Sequence, residues 1–407
     1  MKKQAPPSLM EKMGRFIQPW ALFVGVALGF VGLVLAGRWA DKRDIYAGVP
    51  RFHPLISTDG SVYPTLGHLQ QHVRANASRR KILVLVGGNS ILLGVGQPVE
   101  SLWTKDLQKQ LGKEFRVVNL AFRGAEPVEM GAIVAETLRE EYPRMIYIAN
   151  GRVDSFTTPV GNPNFYGYLY WQARAAGQLL DDAHRESVAL DSLNHPDEKT
   201  RQQFSEIFMR GFVDARLHTS SFWNWVGQEA LFTVWNVLVN PPQDFWKPRK
   251  LFKDFEPDPL SDPGRWQRTD LEREAAIVRG ESERTFKDTP EGGFIPDPLE
   301  WTFRENTARS CFPPEVLPRT LYVLSHNAPA IVKRLSERDQ ERYRAQYSMG
   351  RERLARVFSV IVFGENLESD DYFSDRTHFT RLAAPLMAKE VAAKVREMSI
   401  SLGYLPK

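Results

Sequence analysis

Residues 81–151 repeat one unit three times, and that repetition restricts the fold more than anything else in the chain. An unbroken apolar run at 81–86 leads through a Gly-rich turn into a helical pattern over 101–111. That helix turns Trp103, Leu107 and Leu111 to one side and stops at Gly112. A second run, 115–120, precedes a helix over 127–141 with Met130, Val134 and Leu138 facing inward. A third run, 145–149, ends at Asn150-Gly151. Continuous apolar strands signal burial on both faces, and short strand-helix links give parallel neighbours joined by right-handed crossovers. The expected fold class is α/β. Ligands of such sheets bind beyond the carboxyl ends of the strands, which puts Ser90, Gly124 and Asn150 on one edge.

The pattern lapses after 155 and returns at 318. Residues 156–317 are rich in Trp, Pro and mixed charge, with no βα repeat. Helices are expected at 166–180 and 222–238. The second carries Trp223, Trp225 and Trp235 with little charge, so it either lies on a membrane or partner or is buried in this region. The charged, Pro- and Gly-broken stretch 254–297 reads as a surface excursion. Later, strands at 320–324 and 358–363 flank a charged helix at 336–357. A last helix over 380–398 should turn Leu382, Leu386, Val391 and Val395 inward. The expected division is a first half of one α/β domain at 64–155, a large, mainly helical insertion at 156–317, and the second half at 318–407.

The N-terminus adds a second constraint. Residues 17–37 carry no charge, and about 20 apolar residues suffice for a helix to cross a bilayer. Lys2, Lys3, Lys12 and Arg15 precede the run, so the basic bias favours a cytoplasmic tail at 1–16, an anchor at 17–37 and the rest outside, after a linker at 38–63 broken by Gly and Pro. The competing reading is a cleaved signal peptide. Gly25 and Gly29 form a Gly-xxx-Gly pair, a helix-packing motif as well as ordinary glycine in a span.

Composition narrows the function classes. Hydrophobic and charged fractions of 43% and 25% are those of a folded chain. A net charge of +4 and a pI near 9.0 are too mild to argue for nucleic acid. Cys311 is the single cysteine, so no disulfide forms within the chain. No Gly-rich phosphate loop is present, and no cofactor is implied. His68 and His72 have the i, i+4 spacing of a metal pair but lack a Glu-rich context, so no metal is expected.

Two short motifs carry the chemistry. Gly88-Asn89-Ser90-Ile91-Leu92-Leu93-Gly94 follows the first apolar strand, and Asp375-Arg376-Thr377-His378 follows the last. A serine hydroxyl needs a histidine to take its proton, and the histidine needs a carboxylate to fix its tautomer and stabilise its charge. Ser90 is the candidate nucleophile, with an N-cap as its structural alternative. His378 is the candidate base and Asp375 its orienting group. Gly124 and Asn150 are candidate oxyanion donors. Arg123, Arg152 and Asn119 are candidate substrate contacts.

These motifs resemble those of the SGNH (GDSL-type) hydrolases. Residues 88–94 look like the Gly-Asp-Ser nucleophile motif, with Asn89 at the usual aspartate, and Asp375-x-x-His378 looks like the C-terminal Asp-x-x-His. Asn119 and Gly124 fall where the second motif lies. Asn150 falls near the third, although the order here is Ala149-Asn150-Gly151 rather than Gly-x-Asn. The anchor and the long insertion are most similar to the DltD-like branch, and more distantly to the AlgX and AlgJ group. The resemblance implies a three-layer flavodoxin-like α/β/α domain. It also implies extracytoplasmic acyl transfer or ester hydrolysis on a cell-envelope polysaccharide or polymer, beside a membrane-bound O-acyltransferase. The alternative is a non-catalytic module of an envelope assembly.

Overall fold

The computed structural model describes residues 19–47, 51, 64–123, 131–151, 165–180, 183–227 and 258–406. Five parallel strands form one sheet: β1 (Ile82–Val86), β2 (Phe115–Asn119), β3 (Met145–Gly151), β6 (Thr320–Ser325) and β7 (Ser359–Phe363). Their order is β2-β1-β3-β6-β7. Both faces of the sheet are covered. Side chains of β1 alternate between two apolar cores, Leu83 and Leu85 into one, Ile82, Val84 and Val86 into the other. Each such side chain contributes about 1.5–3 kcal/mol on burial, which is why the run tolerates no charge.

Helices α1 (Pro19–Ala40), α2 (Leu66–Asn76), α3 (Ser90–Leu93), α4 (Trp103–Leu111) and α5 (Gly131–Leu138) precede or separate the first strands. Between β3 and β6 come α6 (Phe165–Ala175), α7 (Ala183–Ser192), α8 (Glu198–Leu217), α9 (Thr219–Trp225), α10 (Arg265–Arg268), α11 (Leu271–Glu283) and α12 (Pro298–Cys311). A small antiparallel hairpin, β4 (Phe286–Asp288) and β5 (Phe294–Pro296), lies among them. Helices α13 (Pro329–Val332), α14 (Glu337–Leu354) and α15 (Ala384–Ser401) complete the chain.

Five expectations need correction. The third strand does not end before Asn150; it runs through Asn150 and Gly151, because β6 continues to pair with it there. The last helix starts at Ala384, and Met387, Val391, Val395 and Met398 form its buried face. Leu382, ahead of the helix, and Leu386 are therefore 43% and 38% exposed rather than inward. The stretch 254–297 is no surface excursion where it is described: Ala275, Val278 and Phe286 are buried. Of the helix expected at 222–238, the structure shows an earlier start at Thr219, while Trp235 lies outside the described residues.

The fifth correction concerns the linker expected at 38–63. Residues 20–40 form a helix of mean hydropathy 2.2 with most of its apolar side chains exposed, long and apolar enough to span a membrane. Its end is fastened to the domain rather than tethered loosely. Asp41 accepts hydrogen bonds from Thr65 Oγ1 at 3.0 Å and Ser221 Oγ at 2.5 Å, and His218 faces it at 3.4 Å. Burial pushes the Asp41 carboxyl up, but hydrogen bonds from His218 and Ser221 outweigh it and hold the group below its usual range. His68 Nε2 meets the Ala40 carbonyl at 2.9 Å, and His72 Nδ1 meets Asp44 at 2.9 Å. The histidine pair thus seats the helix exit. Trp39 packs edge-on against Trp225 at 4.9 Å, and Arg43 lies over Trp39. Gly25 and Gly29 face open space within the chain.

Candidate active site

Ser90 opens a single helical turn at the carboxyl end of β1. The cap of that turn is Asn89, not Ser90. Asn89 Oδ1 accepts the Ile91 amide at 3.0 Å, which leaves the Ser90 hydroxyl for other work. Asn150, directly across on β3, completes the arrangement. Its Oδ1 accepts the Asn89 amide at 2.9 Å, and its Nδ2 donates to Asn89 Oδ1 at 2.8 Å. Asparagine at 89 can both accept from Asn150 and cap the turn. Gly88 has φ +82, and a Cβ there would lie 2.2 Å from Asn150 Oδ1, so glycine alone admits the close pairing. The far end of the turn is held by Leu92, whose carbonyl accepts from Trp103 Nε1 at 2.8 Å and Asn119 Nδ2 at 3.2 Å.

The second half of the site arrives by topology. The chain leaves β7 at one edge of the sheet, and α15 packs on α4, beside the opposite edge. The segment between them crosses the carboxyl ends of the strands and carries Asp375 and His378 over Ser90. A tight hairpin shapes it: Phe373 bridges to Phe379, and the Ser374 amide donates to the His378 carbonyl at 2.8 Å. Gly96 lies under this hairpin, where a Cβ would meet Ser374 Oγ at 2.4 Å.

The three side chains form one continuous relay. Ser90 Oγ lies 2.6 Å from His378 Nε2, and His378 Nδ1 lies 2.7 Å from Asp375 Oδ2. Asp375 Oδ1 accepts the backbone amides of Thr377 and His378, each at 2.9 Å. Partial burial pushes the Asp375 carboxyl up. The His378 ring and the two amides more than reverse this, and bring it down to about 2. Asp375 is therefore a fixed negative charge at any ordinary pH, and its carboxylate requires the proton of the neutral imidazole to sit on Nδ1. Nε2 is then an acceptor facing the serine hydroxyl, the arrangement that lets a serine lose its proton as it attacks.

The remaining candidates fare differently. Asn119 is committed to the backbone of the serine turn: besides Leu92, its Oδ1 accepts the Ala121 amide at 2.9 Å. Arg123 is exposed, directly after Phe122, whose amide donates to the Gly88 carbonyl at 3.2 Å. Gly124 and Arg152 lie outside the described residues.

Two arginines that the sequence reading did not single out support the site. Arg51, 1% exposed, donates to the carbonyls of Gly94 and Gln97 and so holds the loop after Ser90. Arg265 donates to the carbonyls of Phe373 and Asp370, on the loop that carries the histidine. Arg376 pairs with Glu274 and Glu281 of α11. Neither Arg51 nor Arg265 has a local motif; a buried arginine within a presumed linker has no signal in a single sequence. The chain matches no protein-family model and no curated protein.

Proposed function

We propose that this chain is a membrane-anchored serine acyl-enzyme of the SGNH type. It acts outside the cytoplasm on an acyl ester of a cell-envelope polysaccharide or polymer. The observation that carries the reading is the Asp375–His378–Ser90 relay, with a 2.7 Å contact within the Asp375/His378 pair and a 2.6 Å contact from His378 to Ser90, 288 residues away in sequence. The finer fold reading is a flavodoxin-like α/β/α domain interrupted at 156–317. Support comes from apolar cores on both faces of the sheet and from the described part of that region, which adds no strand to it.

In the first step Ser90 Oγ attacks the acyl carbonyl carbon as its proton passes to His378 Nε2. The carbonyl oxygen becomes an oxyanion, for which the Ser90 amide and Gly124 are the candidate donors; of the Asn150 side chain, bound to Asn89 at both ends, only the second Nδ2 hydrogen is left for that role. Each such donor contributes about 3 kcal/mol. The polymer oxygen then leaves with the proton from Nε2, and the acyl group remains on Ser90 as an ester. In the second step His378 takes a proton from water or from an acceptor hydroxyl, whose oxygen attacks the ester carbon; the acyl–Oγ bond then breaks, and Ser90 Oγ takes the proton back from Nε2. Water makes the chain an esterase, and an acceptor hydroxyl makes it a transferase. In the transferase case a membrane-bound O-acyltransferase is the expected partner.

Mass spectrometry tests the central step. The full chain, incubated with p-nitrophenyl acetate and quenched in acid, should carry one acetyl group on the peptide containing Ser90. Acetylation elsewhere, with Ser90 unmodified, would leave the non-catalytic envelope module as the better reading.

The anchor is part of the same proposal. Trp223 is 62% exposed on α9, beside the clamped exit of α1, and indole rings favour the membrane interface. In lipid nanodiscs, a spin label at Trp223→Cys in a Cys311→Ser background should report headgroup depth. Full exposure to a water-soluble relaxation agent, or a mature chain that begins after the apolar run, would defeat this placement.

A further inference from the structure

A cavity of about 620 Å³ lies beyond the carboxyl ends of β6 and β7, with none of the triad in its lining. It is walled by the loop after β6, by α14 and by the loop after β7. Its aromatic wall is a trio of rings. His326 stacks on Tyr347 at 4.0 Å and meets Tyr343 edge-on at 5.6 Å. Val332 and Leu367 add aliphatic surface.

His326 gives the cavity its chemical demand. Nδ1 faces the Tyr343 hydroxyl at 3.3 Å, and that same hydroxyl oxygen accepts the Asn327 amide at 2.9 Å. Nε2 is buried and has no hydrogen-bond partner. Burial keeps the ring neutral, with its pKa lowered to about 4, so Nε2 is a donor in one tautomer and an acceptor in the other. A hydroxyl satisfies either, since it both donates and accepts. A buried polar atom without a partner is unfavourable, and a ligand hydroxyl that reaches Nε2 as the half-buried ring shifts would relieve that cost.

The rim argues against an ion. Its charges are of mixed sign: Lys333 and Arg344 stand beside Glu365 and Glu368, and Arg351, paired with Glu365 at 2.7 Å, leaves a surplus of one positive charge. A neutral ligand with hydroxyls on its edge and a C–H face for the tyrosine wall meets these conditions together. That is a saccharide, and the volume lies in the ordinary range of small-molecule sites, about 300–1,000 Å³.

The cavity is structurally continuous with the catalytic loop. The Ala328 amide, on the loop after β6, donates to the Arg376 carbonyl at 2.8 Å. Gly364 lies so close that a Cβ there would sit 3.3 Å from His326 Cβ and 3.4 Å from the ring of Phe379, the residue after His378.

We propose that this cavity is a saccharide subsite, which holds a neutral sugar unit beside the loop that carries His378. Its role in presenting a polymer to Ser90 rests on the acyl-enzyme reading; its binding of sugar does not.

The test is saturation-transfer NMR on the full chain in nanodiscs, with cellobiose, N,N′-diacetylchitobiose and the anionic digalacturonate as probes. The neutral disaccharides should bind with a Kd on the order of 1 mM, and digalacturonate more weakly. Leu367→Trp, which fills the cavity, and Ser348→Trp, on the exposed rim of α14, should each weaken binding by about tenfold or more, a loss of about 1.4 kcal/mol. Fluorophosphonate labelling of the same samples reports separately on the triad. A chain that labels but binds no neutral disaccharide overturns the subsite and leaves the acyl-enzyme reading intact. One that binds disaccharide without labelling does the reverse. Undiminished binding in both tryptophan variants, or a preference for digalacturonate, overturns the assignment to this cavity.

Discussion

Ser90→Ala should abolish covalent labelling of the chain by a fluorophosphonate, and His378→Ala should slow it by about 10⁶-fold. The two effects have different origins. Alanine at 90 removes the oxygen that forms the bond to phosphorus, so nothing remains to react. Alanine at 378 leaves the hydroxyl in place but removes the acceptor 2.6 Å from it, and the serine must then react with its proton held only by water. The double variant should be no worse than Ser90→Ala, because the residues act as one unit. The measurement is the second-order labelling rate of the full chain, with thermal melting alongside to confirm that each variant folds. Persistent labelling of Ser90→Ala would move the nucleophile elsewhere. Equal rates for wild type and His378→Ala would show that the histidine does not activate the serine.

Stability should change little in either variant. Ser90 is not the cap of its turn, so its hydroxyl contributes little to holding α3. The elbow is instead held by groups that take no part in proton transfer: the Asn89–Asn150 pair, the Leu92 carbonyl with its two donors, and Arg51 under the Gly94–Gln97 loop. This division of labour places the reacting groups on rigid backbone whose hydrogen bonds are already satisfied.

It also explains what could be read from sequence. The strand runs are legible because burial on both faces excludes charge from every position, a local signal. Ser90 and the Asp375/His378 pair are legible because each lies directly beyond such a run. Arg51, Arg265 and the Asn89–Asn150 pair are not, because each is a side chain meeting a distant backbone or side chain, and no period or spacing encodes that. The face of the last helix is legible in its second half, where Val391 and Val395 are buried as expected, and not at its start. Leu382 and Leu386 keep a helical spacing, but the helix begins two residues after Leu382, and the buried stripe enters at Met387. Likewise, charge and Gly/Pro content in 254–297 suggested a solvated loop. Those charges include Arg265, Glu274 and Glu281, which fasten this region to the hairpin that carries Asp375 and His378.

Asp375→Asn is the sharper probe of mechanism, because its geometry leaves the replaced amide one orientation. Oδ1 of Asp375 accepts two backbone amides at 2.9 Å, so in the variant the amide oxygen must stay there and the NH2 must take the place of Oδ2, 2.7 Å from His378 Nδ1. An NH2 group can only donate. It faces Nδ1 with a donor at 2.7 Å, while the amide oxygen, also 2.9 Å from Nδ1, already accepts two backbone amides; this favours the tautomer with the imidazole proton on Nε2, which then points a donor at Ser90 and cannot accept the hydroxyl proton. The expected cost is a fall of about 10⁴-fold in labelling or acyl-transfer rate, with the hairpin intact. Asp375→Ala, which imposes no tautomer, should lose less than Asp375→Asn if the wrong proton rather than the missing charge dominates. The pH profile separates the groups further. Because the Asp375 carboxyl is lowered to about 2 in the folded chain, its favourable contribution is complete above the unfolded carboxylate range, near 3.9. It is lost only as pH falls through about 2. An acid limb of the wild-type rate above pH 4 therefore does not come from the Asp375 carboxylate. An acid limb that disappears in Asp375→Asn while the neutral-pH rate survives would assign the titration to Asp375 and contradict this relay.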